Sequence, residues 1–211
     1  MHDRFETAVR LLLSGEFICS VSHPEEFRYL KDDGVRTEID QYLLRIGRKL
    51  TTTSHGSGYF LAFTHCGETE RTAIKAQFSE IKGTLSAVAT FFRLVMRSTG
   101  REDLLMHGAM IESSVLMAQI DQDPALRNGL QTVSNLFKQN EGSNRQVFDR
   151  ILGRLRNSGY LQLVNAERGL YQVTSKVEYL LDIIRFLQEN DETLKGQLDE
   201  ADEEKGSVNL L

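Results

Sequence analysis

A chain of 211 residues with 40% hydrophobic and 26% charged side chains, 16 glycines and only 2 prolines has ordinary globular composition and room for one large domain or two small ones. That composition excludes a collagen-like or largely disordered chain, and no apolar run approaches the ~20 residues a membrane helix needs. The formal charge of −5 is uneven: from Glu189 to Lys205 eight acids stand against Lys195 and Lys205, a stretch of −6 that leaves +1 for the rest. A near-neutral body can still meet DNA through a local basic face, although it has no strongly basic footprint. Met1-His2-Asp3-Arg4-Phe5-Glu6 shows no basic segment followed by an apolar one, so a cytoplasmic location is expected. Cys19 and Cys66 are too few for a disulfide framework and form no C-x-x-C pair, so both are expected as reduced thiols.

In chain order, Phe5, Val9, Leu12 and Leu13 predict a first helix ending at Ser14-Gly15. Phe17-Ile18-Cys19-Ser20-Val21 is β-prone, and Ser22-His23-Pro24-Glu25 opens a short second helix. Val35, Ile39, Tyr42, Leu43, Ile46 and Leu50 form one stripe and predict a third helix over 35–50, with Arg36, Gln41, Arg45 and Arg48 on its other face. Leu50-Thr51-Thr52-Thr53, the turn Ser54-His55-Gly56-Ser57-Gly58, and Tyr59-Phe60-Leu61-Ala62-Phe63 predict a β-hairpin. Helix, short strand, helix, helix, hairpin is the order of a winged helix, whose third helix enters the major groove in DNA-reading members.

Residues 69–98 carry Ile74, Phe78, Ile81, Leu85, Val88, Phe92 and Val95 at spacings of 4, 3, 4, 3, 4 and 3, a heptad seam. The seam suits either a core within one chain or a dimer and partner surface; Phe91 and Leu94, off the seam, give the helix apolar area on a second side. The second half then repeats the first. A helix is predicted over 102–120, with Leu105, Met110, Val115 and Leu116 apolar and a break at Gly108. Asp123-Pro124 starts another, through Leu126, Leu130, Val133 and Phe137. Gly142-Ser143 opens a helix with Val147, Phe148, Ile151, Leu152 and Leu155 on one face and Arg145, Gln146, Arg150, Arg154 and Arg156 on the other. Residues 160–164 and 170–174 form a second hairpin about the turn Asn165–Gly169, and Ser175 caps a last amphipathic helix. The expected fold is mainly α with small β-hairpins: a winged helix over 1–66, a heptad-patterned connecting helix over 67–100, a second winged helix over 101–189, and an acidic tail over 190–211.

Several strings, in this order of elements, resemble the MukE/MksE-type accessory subunits of bacterial SMC condensin complexes. They are Leu13-Ser14-Gly15-Glu16-Phe17-Ile18 and Gly58-Tyr59-Phe60-Leu61 in the first half, and Leu152-Gly153-Arg154-Leu155-Arg156-Asn157-Ser158-Gly159 and Tyr171-Gln172-Val173-Thr174 in the second. The short first wing and tail place the chain nearer the MksE or Wadjet-like branch. The resemblance implies a non-enzymatic, nucleoid-associated subunit that dimerises, binds a kleisin and through it joins an SMC ATPase, in chromosome organisation and segregation or in plasmid defence. DNA contact, where it occurs, would be weak and without sequence preference.

Residue chemistry adds candidate surfaces and no catalytic, cofactor or metal site. Arg145, Arg150, Arg154 and Arg156 could neutralise phosphates or form a solvated face shared with Asp149; Arg45, Arg48 and Lys49 stand beside Glu38 and Asp40 and present the same choice. Dimer or partner-helix candidates are the seven seam residues from Ile74 to Val95. His65-Cys66 with His23, His55 or His107 shows no ligand spacing, and His55-Gly56-Ser57-Gly58 lacks the lysine and following helix of a phosphate cradle. The main rival reading is a homodimeric winged-helix transcription regulator; overall acidity and the second winged helix count against it.

Overall fold

The structure, a computed structural model, describes residues 2–65, 67–101 and 106–190; for residues 2, 68–83, 187, 188 and 190 it describes the backbone alone. The acidic segment beyond Asn190, Cys66 and Leu105 lie outside the described residues, as do the side chains of Ile74, Phe78 and Ile81. The chain is mainly helical with two small antiparallel sheets. Its elements run α1 (His2–Leu13), β1 (Ile18–Cys19), α2 (Pro24–Tyr29), α3 (Asp33–Leu44), β2 (Arg48–Thr52), β3 (Gly58–Phe63) and α4 (Glu68–Thr99). They continue through β4 (Met110–Glu112), α5 (Ser113–Gln122), α6 (Pro124–Phe137), α7 (Asn144–Asn157), β5 (Leu161–Asn165), β6 (Leu170–Val173) and α8 (Lys176–Asn190).

Both sheets place the hairpin's second strand in the middle. The first has order β1-β3-β2 and the second β4-β6-β5, so a short strand from before the helices pairs with the returning hairpin strand in each. Each half thus builds the same three-stranded plan around its own core. Ala8, Val9, Leu12, Ile18, Leu30, Ile39, Leu43 and Tyr59 form the first core. The second gathers Phe91 and Phe92 of α4, Leu116 and Ile120 of α5, Leu130 and Val133 of α6, Phe148 and Ile151 of α7, and Val177 of α8.

Two predicted helices end differently. The third stops at Leu44, six residues before Leu50, because its stripe changes geometry: Ile39 and Leu43 are buried from the helix, whereas Leu50 reaches the same core from β2. The Asp40 carboxylate accepts the Leu50 N–H at 2.8 Å, and Leu50 pairs with Leu61 across the hairpin. Arg48 and Lys49 therefore sit on a strand, and Arg45 is the residue after the helix. Of the helix predicted over 102–120, the described residues form helix only from Ser113, after β4. Gly108 takes φ +87°, a left-handed conformation closed to a helix interior, and its N–H reaches the Val173 carbonyl at 2.8 Å. Met110 and Val115, read as core positions, are 43% and 50% exposed, while Ile111, Leu116, Met117 and Ile120 are buried.

Two predicted caps do not form: α2 starts after His23 with no side-chain cap, the Ser22 hydroxyl donating instead to the Phe17 carbonyl at 2.6 Å, and, among the described residues, the Ser175 hydroxyl makes no bond to α8. Other starts are fixed locally. Asp32 caps α3 by accepting the Val35 N–H at 3.0 Å, and Asp123 caps α6 through the Ala125 N–H at 2.7 Å. A capping box joins Ser143 and Gln146 at the start of α7.

Candidate partner and nucleic-acid interfaces

The arginines of α7 are largely engaged within the chain. Arg145 pairs with Asp149 at 3.1 Å one turn on, and Arg150 donates to the Glu141 carbonyl. Arg154 donates to the Phe137 carbonyl at 3.0 Å with its guanidinium 5.7 Å from the Phe137 ring, tying α7 to the end of α6. Arg156 stands at the last turn of α7 and lines a cleft; burial pushes the nearby Tyr171 phenol up while the Arg156 charge draws it down. In the first half, the Arg48 guanidinium lies over the Phe63 ring, 3.6 Å from its centre. Lys49 lines a shallow groove of about 480 Å³ with Arg36, Asp40 and Thr51 between α3 and β2, and Arg45 is exposed. The seven basic candidates thus divide between the two halves.

Of the seam residues, Leu85, Val88, Phe92 and Val95 are buried within the second core. The side chains of Ile74, Phe78 and Ile81 lie outside the described residues.

A cleft of about 680 Å³ separates the two halves. The end of α1 with Phe17 forms one wall, the end of α7 with Tyr160 another, and Lys176, Tyr179 and Ile183 of α8 the third. Phe17, Phe60 and Tyr179 pack together with ring centres 4.8 to 5.1 Å apart, and Phe17 and Tyr179 give the cleft aromatic lining. The Lys176 ammonium lies 5.7 Å from the Phe17 ring and 5.3 Å from the Tyr160 ring, and His23 faces Glu16 at 4.0 Å. Arg156, Lys176 and His23 against the single acid Glu16 make the lining more basic than the chain as a whole.

Beside this cleft the halves meet through polar groups that sequence reading did not single out. Glu178 of α8, its side chain 7% exposed, enters the loop of the first hairpin. Its carboxylate accepts from the Thr53 hydroxyl at 2.7 Å and the Ser54 hydroxyl at 3.3 Å, and from the Ser57 hydroxyl and the His55 N–H. The His55 Nδ1 stands 2.7 Å from the same group, and one turn on Asp182 accepts the Ser54 N–H at 3.2 Å. Burial pushes the Glu178 carboxyl up, but the bonds from Ser57, Thr53 and His55 prevail and hold it below the usual carboxylate range. The loop set aside as lacking a phosphate cradle does hold an oxyanion, one supplied by the chain itself.

The second contact runs the opposite way. Cys19 of β1 is fully buried, and Ser22 N–H donates to its sulfur at 3.3 Å. Burial pushes the thiol up, while His107, Ser22 and the Ser175 N–H together bring it down to about 6. His107 also lies 3.4 Å from the Ser20 hydroxyl. Of the metal-ligand candidates, His23, His55 and His107 are drawn to three different partners, and no group of three or more metal-ligating side chains forms among the described residues.

The structure thus has two similar helix-and-sheet halves with a cleft and a polar junction between them. The chain belongs to the MksE family: the model for condensin complex protein MksE matches residues 3–185, across both halves. No curated protein matches the chain. No described helix is long and apolar enough to cross a membrane.

Proposed function

We propose that the chain is a non-enzymatic accessory subunit of a bacterial SMC–kleisin complex, acting by binding the kleisin and, through it, an SMC ATPase. The family match over residues 3–185 carries this reading. On it, each half is a winged helix, the subunit is a cytoplasmic, nucleoid-associated homodimer, and its work is chromosome organisation and segregation or defence against plasmids. The repeated strand orders β1-β3-β2 and β4-β6-β5 support the tandem reading. The cleft supports a segment of kleisin as its occupant: its lining offers Phe17, Tyr160 and Tyr179 to apolar side chains and Arg156 and Lys176 to acidic ones.

DNA contact, in this reading, is weak, salt-sensitive and without sequence preference. The local engagement of Arg145, Arg48 and Arg154 and the chain's −5 charge favour that over operator recognition. Mild affinity purification from native cells, with mass spectrometry of what stays bound, tests the proposal. A long coiled-coil ATPase and a helical kleisin in stable ratio are the expected companions. Recovery of the chain as a dimer on one short DNA locus would replace this reading with the transcription regulator.

A further inference from the structure

Polar side chains from both halves meet at the boundary between them. The Glu178 carboxylate of the second half sits among donors of the first, from Thr53, Ser54, His55 and Ser57. On the other side, Cys19 of the first half is fully buried beside Ser20, whose hydroxyl lies 3.4 Å from His107 of the second, and it pairs with Gly58, which packs against Ser175. The two sites are joined covalently and by contact. Ser175 and Glu178 lie three residues apart at the start of α8; Cys19 pairs with Gly58, which closes the loop holding Glu178. A side chain at Gly58 would collide with the Ser175 hydroxyl, so the approach of α8 requires glycine there.

This junction also contains an imperfection. The Ser175 hydroxyl is fully buried and has no hydrogen-bond partner among the described residues, a cost released when water enters. Glu178 and Asp182 face the loop, while Lys176, Leu180 and Ile183 of the same helix line the cleft. Movement of the first set shifts the second.

We infer that α8 and the first hairpin loop form a clasp that opens and closes as one unit: departure of Glu178 from its cradle uncovers Cys19 and frees the α8 wall of the cleft. The clasp is a property of this chain alone and stands whether or not the cleft holds a kleisin segment.

The rate at which Cys19 reacts with an aromatic disulfide reagent measures the opening. The full-length chain carries Cys66→Ser, so that Cys19 is its one remaining thiol. In this parent, Cys19 reacts slowly. Glu178→Gln removes the charge that gathers the loop's donors, and labelling becomes about tenfold faster or more, the equivalent of about 1.4 kcal/mol of easier local opening. The paired change Ser54→Ala and Ser57→Ala, confined to the loop, gives the same direction and answers the question should the Glu178→Gln protein not fold. Leu130→Ala, in the second core away from the junction, lowers the melting temperature but leaves the Cys19 rate unchanged.

Equal acceleration by Leu130→Ala would show that Cys19 is reached only by global unfolding, and would overturn the clasp. So would a folded loop variant labelling at the parental rate, or a parent in which Cys19 reacts like a free thiol.

Discussion

Phe92→Ala distinguishes a seam used within the chain from one used between copies. Phe92 is 1% exposed, meets Phe91 edge-on with centres 5.5 Å apart, and borders a small apolar cavity of about 100 Å³ with Val177, Leu180 and Ile184 of α8. Its neighbours are all in the same chain, so truncation removes the transfer energy of a buried ring and enlarges a void, a loss of about 3–5 kcal/mol. For a chain of this size each kcal/mol shifts the midpoint by about 2–4 °C, so melting falls by roughly 6–20 °C. Thermal unfolding by circular dichroism at two protein concentrations a hundredfold apart, with sedimentation of both proteins, reads the effect. The drop is the same at both concentrations and the sedimenting mass is unchanged. A variant that keeps its melting temperature but loses mass would place Phe92 between subunits and refute the assignment of this half of α4 to the second core.

The titration of Cys19 gives a pH prediction. Its folded value, about 6, lies below the ordinary thiol range, so the native state binds fewer protons than the unfolded chain above pH 6. Stability therefore rises with pH from about 6 toward 9, and Cys19→Ser flattens that segment of a urea-midpoint profile; an unchanged profile would mean that Cys19 stays a thiol. Glu178 has the same sign at lower pH: its contribution is complete above the ordinary carboxylate range and is lost as pH falls through its depressed value, with His55, Asp182 and Arg185 the other ionisable groups close by. Asp40→Ala removes the acceptor of the Leu50 N–H and costs about 1–2 kcal/mol, read in urea, with hydrogen exchange at Leu50 accelerated. Reversal of Arg45 and Arg145 to glutamate lowers the salt slope of any DNA binding by about 0.9 for each phosphate no longer neutralised and leaves kleisin capture intact. Failure of that protein to capture the kleisin would move the partner surface onto these residues.

Periodicity and capping made most of the helical plan legible. Asp123 and Ser143 announce helix starts through side-chain oxygens that serve the next turn, a purely local chemistry, whereas the cap of α3 by Asp32 lies ahead of a stripe read only from Val35. The two boundary errors share one cause. Leu50 and Met110 continue an apolar pattern into segments that long-range pairing takes as strands, Leu50 opposite Leu61 and Met110 opposite Gln172. The junction was less legible still. Glu178 lies on an amphipathic helix among ordinary surface acids, and its partners come more than 120 residues earlier in a loop of small polar residues. Gly58 was visible as the end of a turn, but its need for closeness arises only once Ser175 arrives.

That junction bears on how two small halves keep a fixed relative arrangement. Apolar surfaces of two small domains can slide over one another at little cost, since burial depends on area and not on register. Directional bonds cannot. Displacing α8 by one turn would exchange Glu178 for Asp182 at the cradle and strand the donors of Thr53 and Ser57. The aromatic contact of Phe17, Phe60 and Tyr179 supplies area beside it, and the crossed contacts of Glu178 and Cys19 select one angle from those this area permits. The cleft therefore inherits its width from polar groups outside its own lining, and, on the proposed function, substitutions on the far side of α8 alter capture of the kleisin segment without touching it.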